Sequence, residues 1–181
     1  KNINFDNYAD NYSEHINKSF GSLENNLDYY HIKKSEILKM ELGYQPKKIL
    51  DLGCGVGTML KLLSKQFPDS VFYAQDESPK SLDYIKKNHP NVNCLSDLNT
   101  EEKFDLIFLS NVIHHVKSSK RDDLFKKIHS LLNPDGKLFI FEHNPYNPLT
   151  LKLVANCEFD ADAELIKKKD LIKICKRNNL K

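Results

Sequence analysis

Three glycines and two aspartates have the types and spacing that best predict chemistry in this chain. Gly53, Gly55 and Gly57 form a GxGxG turn, and residues without side chains let the backbone turn tightly against a ligand. Asp76 follows the next apolar run, where a carboxylate accepts both hydroxyl protons of a ribose or simply caps the following helix. Asp97 follows a third run, where it either contacts an adenine amino group or lies in solvent. This spacing predicts a nucleoside site.

Two other nucleotide-binding patterns do not fit the glycine turn. A dinucleotide-binding fingerprint reads GxGxxG, and its third glycine is absent here. A phosphate-binding P-loop needs a Gly-Lys-Ser or Gly-Lys-Thr sequence, which does not follow the turn either. A nicotinamide-dependent oxidoreductase therefore stays only as the less favoured enzymatic alternative.

The hydrophobic pattern predicts the elements that must position these residues. From residue 47 onward, short apolar runs alternate with amphipathic stretches, which favours parallel strands joined by helices. The predicted strands are 49–52, 71–75, 92–95, 104–109 and 137–141; the predicted helices are 28–42, 58–67, one from Ser78-Pro79, one capped by Ser118 or Ser119, and 168–176. A turn is predicted at 133–136. We expect His114 and His115 to end the fourth strand and His143 to follow the fifth.

Length, charge and cysteine positions argue against several classes of protein. The 181 residues suit one domain, with a helical cap at 1–45 and a core at 46–181. A net charge of +2 gives no electrostatic reason to expect a nucleic acid or a membrane as partner. The four cysteines show no metal-ligand spacing, so no metal site is predicted, and free cysteines are typical of the cytoplasm.

Four segments in order carry a resemblance to a known family. They read ILDLGCGVG, AQDES, FDLIFLSNVIHHV and LLNPDGKLFIFEH. Over about residues 47–143 the chain resembles the class I S-adenosylmethionine-dependent methyltransferases. The resemblance implies an α/β fold with three layers, a doubly wound and mostly parallel Rossmann-like sheet of strand order 3-2-1-4-5, and S-adenosylmethionine as cofactor with S-adenosylhomocysteine as product. The family usually adds two strands, which we expect to be missing from this chain.

The same resemblance assigns residues to the cofactor. Asp51 would support the glycine turn and the methionine amino group, while Asp97 and Leu98 would border the adenine. Ser110 and Asn111 would lie beside the methionine part. The full predicted cofactor set is Asp51, Gly53, Cys54, Gly55, Gly57, Asp76, Glu77, Asp97, Leu98, Ser110, Asn111 and Tyr12. Tyr12 enters because the N-terminal segment resembles one that folds over the cofactor in related enzymes, although its ring could instead pack on the sheet.

The candidate catalytic residues are two histidines. His115 and His143 could accept a proton from the methyl acceptor, since histidine titrates near neutrality; packing beneath the cofactor is the alternative for His115, and a structural role is the alternative for His143. We predict methyl transfer to an oxygen or nitrogen atom of a small polar metabolite, with surface-glycan or secondary metabolism as candidate pathways. A non-catalytic module that binds S-adenosylmethionine is the alternative outside enzymes.

Overall fold

Five strands form one sheet in the computed structural model, which describes Asp6 and residues 27–180. The strands are β1 (Lys48–Leu52), β2 (Val71–Gln75), β3 (Val92–Leu95), β4 (Phe104–Ser110) and β5 (Leu132–Phe141). Their order is β3-β2-β1-β4-β5 and every pairing is parallel. The predicted fold class and strand order are confirmed. Because the winding reverses between β1 and β4, a crevice opens at the carboxyl ends of these two strands.

Helices cover both faces of this sheet. They are α1 (Leu27–Leu42), α2 (Thr58–Gln66), α3 (Pro79–Asn88), α4 (Ser118–Leu131), α5 (Pro148–Asn156) and α6 (Lys168–Arg177). Alternate residues of β1 enter two separate hydrophobic clusters, Ile49 with α1, α2 and α3, and Leu50 with α4 and α6. This alternation produces the predicted three layers. Within the described ranges no helix is both long and apolar enough to cross a membrane.

The two serine caps predicted from the sequence have different outcomes. The prediction for α3 is confirmed, because the Ser78 side chain accepts a hydrogen bond from the Ser81 N–H at 3.2 Å, and Pro79 follows. The prediction for α4 is wrong. The N-cap residue there is Lys117, and the Ser118 N–H donates instead to the Glu164 carboxylate at 3.0 Å. A carboxylate supplied from a distant loop takes the place of the local serine.

The predicted turn at 133–136 is an interruption within β5 and not its beginning. Leu132 already pairs with Phe104, and regular pairing resumes where Lys137 lies opposite Leu106. The residues between them bulge out beside β4, and an added Cβ at Gly136 would lie 2.7 Å from the Phe104 carbonyl oxygen. Strand pairing therefore reaches five residues further back than the turn sequence predicted.

The end of β4 also differs from the prediction. The strand ends at Ser110, because Asn111 adopts a left-handed conformation with φ of 60°. His114 and His115 consequently lie in a 3-10 helix, Ile113–His115, and not at the strand end. A second 3-10 helix, Glu158–Asp160, follows α5, and neither α5 nor these two short helices was predicted.

Candidate functional site

The turn between β1 and α2 requires glycine at two positions. Gly53 and Gly57 have φ angles of 77° and 76°, in the left-handed region that favours glycine. An added Cβ at Gly53 would lie 2.4 Å from Cγ2 of Val112, and one at Gly57 would lie 2.6 Å from Cδ1 of Ile85. The turn thereby packs against the segment after β4 and against α3. It leaves the backbone of Gly55 open to the space above, where nothing lies within 4 Å of an added Cβ.

Asp76, which directly follows β2, holds this turn in place through a hydrogen bond. Its carboxylate accepts one hydrogen bond from the Gly55 N–H at 2.8 Å and another from the Ser78 N–H at 2.9 Å. Burial raises the pKa of Asp76, although these two backbone donors oppose the rise. A carboxylate offers about four lone-pair sites. Capacity for further donors, such as ribose hydroxyls, is therefore left.

Asp51 is a nearly buried acid beside the turn, with 3% of its surface exposed. Burial raises the pKa of Asp51 well above its usual value, and the negative charge of Asp76 raises it further. A cation placed next to Asp51 would favour its ionised form. The site therefore suits a positively charged group.

A lysine that the sequence did not single out reaches the end of β4. Lys34 on α1 donates from Nζ to Oγ of Ser110 at 2.8 Å and lies 5.8 Å from the centre of the Phe141 ring. Burial lowers the pKa of Lys34 to about 8, against the opposing effect of Glu142. In the sequence Lys34 is one of many helix lysines, and only the packing of α1 against the sheet distinguishes it.

The glycine turn, Asp76, Asp51 and Ser110 line one cleft of about 1140 Å³ across the carboxyl ends of the strands. The predicted residues among its walls are Asp51, Gly53, Cys54, Gly55, Asp76, Glu77, Asp97, Leu98, Ser110, Asn111, His115 and His143. Gly57 is absent from the walls, since it packs against α3. Tyr12 lies outside the described residues. The left-handed Asn111 borders the cleft, and non-glycine residues held in such conformations cluster at functional sites.

A buried imidazole between two carboxylates lies at one end of this cleft. Nδ1 of His114 is 2.6 Å from Oε2 of Glu142, and Nε2 is 3.2 Å from Oδ1 of Asp160. Burial disfavours the charged imidazole, but the hydrogen bonds to Asp160 and Glu142 outweigh it and raise the pKa of His114 to about 9. Glu142 also accepts hydrogen bonds from the Val112 and Ile113 N–H groups. The sequence prediction did not include His114, Glu142 or Asp160 among the site residues.

The two predicted catalytic histidines both lie close to Asp160, which also contacts His114. Nε2 of His115 lies 3.4 Å from Oδ1 of Asp160, and Nε2 of His143 lies 3.9 Å from Oδ2. Burial and the nearby charge of His114 lower the pKa of His115 to about 4 and also lower that of His143. Both imidazoles are therefore neutral near neutral pH. With so low a pKa, His115 is a weak base.

Comparison with known proteins identifies the family to which this chain belongs. A family model described as a methyltransferase domain matches residues 28–181, most of the chain. The chain belongs to the class I S-adenosylmethionine-dependent methyltransferases. The resemblance stated from the sequence is thus confirmed, and the oxidoreductase alternative loses its support.

The names of related proteins indicate different methyl acceptors. The chain is 30% identical over 135 residues to malonyl-[acyl-carrier protein] O-methyltransferase 1 from Ilyobacter polytropus, a match covering 68% of this chain and 50% of that protein. It therefore spans about half the length of that relative. It is 33% identical over 106 residues to (S)-coclaurine N-methyltransferase from Papaver somniferum, covering 54% of this chain and 29% of that protein.

A solved structure shows the same fold. The TehB-like SAM-dependent methyltransferase from Corynebacterium glutamicum superposes with a TM-score of 0.66 at 23% identity. The match covers 95% of this chain and 83% of that one.

Proposed function

We propose that this chain transfers a methyl group from S-adenosylmethionine to an oxygen or nitrogen atom of a small polar molecule. The observation that carries the proposal is the single cleft in which a glycine turn and Asp76 lie at one end and a histidine cluster lies at the other. The first end suits a nucleoside, and the second suits a polar acceptor. A reaction between the two ligands requires them to meet in such a shared space.

The charges in the cleft support a particular orientation of the cofactor. Asp76 would accept the ribose hydroxyls, and the Asp97–Leu98 segment would border the adenine. The methionine part carries one ammonium and one carboxylate, and the cleft offers Asp51 for the cation, with Lys34 reaching Ser110 on its wall. This assignment places opposite charges together at both ends of the amino acid.

The cofactor supplies an activated methyl group on a sulfonium, and the chain has to position the acceptor for an in-line displacement. A base is needed only when the acceptor carries a proton that must leave. His143 is the better candidate for that base, because the lowered pKa of His115 makes it a weak one. His115 is then left with a role in positioning the acceptor.

The lining residues and the volume of the cleft support a small methyl acceptor. Its far end is lined by polar and charged side chains, including His143, Asp160 and Asp162, together with the apolar Leu153 and Val154 of α5. A volume of about 1140 Å³ holds the cofactor and a further small molecule. We therefore do not propose a nucleic acid as substrate.

Two measurements on the purified chain test the proposed function. Calorimetric titration should show binding of S-adenosylmethionine and S-adenosylhomocysteine and no binding of NAD. Isotopically labelled S-adenosylmethionine, incubated with a bacterial metabolite extract, should then yield labelled small molecules detected by mass spectrometry. NAD binding without binding of S-adenosylhomocysteine would contradict the cofactor assignment. Cofactor binding with no labelled product would favour the non-catalytic module.

A further inference from the structure

Three histidine nitrogens converge on one carboxylate at the acceptor end of the cleft. Nε2 of His114 and Nε2 of His115 lie 3.2 and 3.4 Å from Oδ1 of Asp160. One ligand atom from each of these three residues lies within 4.8 Å of the other two. His143 approaches the other oxygen of Asp160, with its Nε2 at 3.9 Å. The donors are two imidazoles and a carboxylate, which are common ligands of divalent transition metals.

The separations between these atoms match those around a small metal ion. Zinc binds histidine nitrogen and carboxylate oxygen at about 2.0–2.2 Å in tetrahedral geometry, so its neighbouring ligand atoms lie about 3.3–3.6 Å apart. The observed separations of 3.2 and 3.4 Å agree closely with that spacing. The remaining pair, one nitrogen from each histidine, lies within 4.8 Å.

Glu142 orients His114 in a way that is common among metal-binding histidines. The Nδ1 atom of His114 lies 2.6 Å from the Glu142 carboxylate, which is itself fixed by the Val112 and Ile113 N–H groups. Metal-binding histidines commonly donate their second ring N–H to a carboxylate in this way, and the arrangement directs the other nitrogen to the metal. Here that other nitrogen is Nε2, the atom that faces Asp160, and binding of an ion there would release the proton that Nε2 carries to solvent.

We propose that His114, His115 and Asp160 bind one divalent transition-metal ion, of which zinc is the best match. His143, the candidate base, stays outside this ligand set and leaves the fourth position open. All four residues line the cleft, so an open position would face the methyl acceptor. Resting on the proposed function, the site favours acceptors with an oxygen atom, since a bound metal polarises such an atom and lowers the pKa of a hydroxyl.

The sequence predicted no metal site because the ligands share no local spacing. His114 and His115 follow β4, whereas Asp160 lies in the 3-10 helix after α5, 46 residues beyond His114. The connection after β5 brings them together. Only the folded chain shows this constellation.

The test measures the binding of zinc alone, without cofactor or acceptor. The chain is stripped with a chelator, dialysed against zinc and analysed for metal content, and stripped chain is titrated with Co²⁺ to detect the visible absorption of a tetrahedral site. We expect one zinc ion per chain, and we expect His115→Gln and Asp160→Asn each to lower the zinc affinity at least tenfold. Glu142→Gln should weaken it roughly 10–100-fold, the usual effect of removing an outer-shell partner.

A matched control and a second measurement separate the possible outcomes. His129 is exposed on α4, so His129→Gln should keep the wild-type zinc affinity. Calorimetric titration with S-adenosylhomocysteine is run on every variant, and its binding shows that the variant is folded. Zinc uptake that survives both His115→Gln and Asp160→Asn would overturn the site. Absence of zinc uptake by a wild-type chain that binds S-adenosylhomocysteine would also overturn it and leave the methyltransferase proposal standing.

Discussion

At the scale of single residues, Asp76 combines a structural task with a proposed binding task. Its carboxylate fastens the glycine turn through the Gly55 N–H and the start of α3 through the Ser78 N–H. A ribose placed above the turn would meet the same carboxylate. These hydrogen bonds to the backbone fix the position of Asp76. The proposed cofactor would contact the same backbone.

Removal of the Asp76 carboxylate should weaken cofactor binding. We expect Asp76→Ala to lower the affinity for S-adenosylhomocysteine by about 1–3 kcal/mol, because ribose hydroxyls lose a charged partner. Calorimetric titration measures the change. Asp69→Ala is the matched control, since Asp69 is exposed and lies just before the amino end of β2, whereas Asp76 follows the carboxyl end. Unchanged affinity in a folded Asp76→Ala variant would remove Asp76 from the site.

Lys34 predicts a pH dependence of cofactor binding. The pKa of Lys34 is about 8 in the free chain, and a bound carboxylate would raise it. A group whose pKa rises on binding contributes fully below its free value, so the contribution of Lys34 to the affinity for S-adenosylhomocysteine should be constant below about pH 8 and should fall as the pH rises above 8. Calorimetric titrations on either side of pH 8 measure this dependence.

An arginine at this position isolates the contribution of the lysine. Lys34→Arg keeps its charge throughout the range, so any loss of affinity that remains in this variant belongs to other groups, including the amino group of the ligand. The proposed role of Lys34 requires a steeper loss in the wild type than in Lys34→Arg. Identical pH profiles would contradict it.

At the scale of elements, the strands were predictable and the connections after β4 were not. The bounds of β2 and β3 agree with the prediction because short apolar runs flanked by polar residues leave few alternatives. The start of β5 was missed because Asn-Pro-Asp-Gly usually forms a turn, whereas pairing with β4 continues on both sides of it here. Strand pairing with β4 therefore outweighs the local turn preference of these four residues.

The placement of Asp76 beside the glycine turn was predictable for the same reason that the strands were. Gly53 and Asp76 follow strand ends directly, so the order of the elements already places them together. Lys34 and Asp160 could not be placed in this way. Lys34 reaches Ser110 on the cleft wall from a packed helix, and Asp160 reaches the cleft through a connection whose path depends on tertiary contacts.

The glycine turn allows its packing role and its ligand role to be separated. Gly53→Ala places a Cβ against Val112, in addition to the cost of a left-handed alanine, and should lower the free energy of unfolding by more than about 2 kcal/mol. Gly55→Ala meets no neighbour within 4 Å and should cost only the backbone strain of about 1–2 kcal/mol. Urea unfolding measures both changes.

Gly43 provides the control for the ligand role. It has φ of 71° and open space around an added Cβ, as Gly55 does, but it follows α1 away from the cleft. Gly43→Ala and Gly55→Ala should therefore destabilise the chain to a similar extent. Only Gly55→Ala should weaken binding of S-adenosylhomocysteine. Equal affinities in the two variants would show that the cofactor does not lie against the turn.

At the scale of the whole molecule, the connection between β5 and α6 forms one wall of the cleft. Residues of α5 and of the following segment line it, including Cys157, Asp160 and Glu164. The Glu164 N–H donates to the His114 carbonyl at 2.7 Å, which ties this segment to the 3-10 helix after β4. The acceptor end is thus assembled from segments far apart in the chain.

Arg121 holds this wall in place from beneath. It is buried on α4, and its guanidinium donates to the carbonyl oxygens of Val116 and Glu164. Arg121→Ala leaves both carbonyls without this donor and should lower the free energy of unfolding by about 1–3 kcal/mol. Because the lost contact lies at the acceptor end, hydrogen exchange at the Glu164 amide should accelerate, while affinity for S-adenosylhomocysteine should stay within twofold of the wild type.

The second arginine of the described chain supplies the comparison for this last experiment. Arg177 forms an exposed ion pair with Asp122 at 2.6 Å, and such pairs contribute little to stability. Arg177→Ala should therefore leave both the exchange of the Glu164 amide and the unfolding free energy nearly unchanged. If Arg121→Ala accelerated exchange no more than Arg177→Ala did, the wall would be held by α5 and the Glu164–His114 hydrogen bond alone. If it abolished cofactor binding, the two ends of the cleft would be coupled, and the acceptor end could not be altered independently of the cofactor.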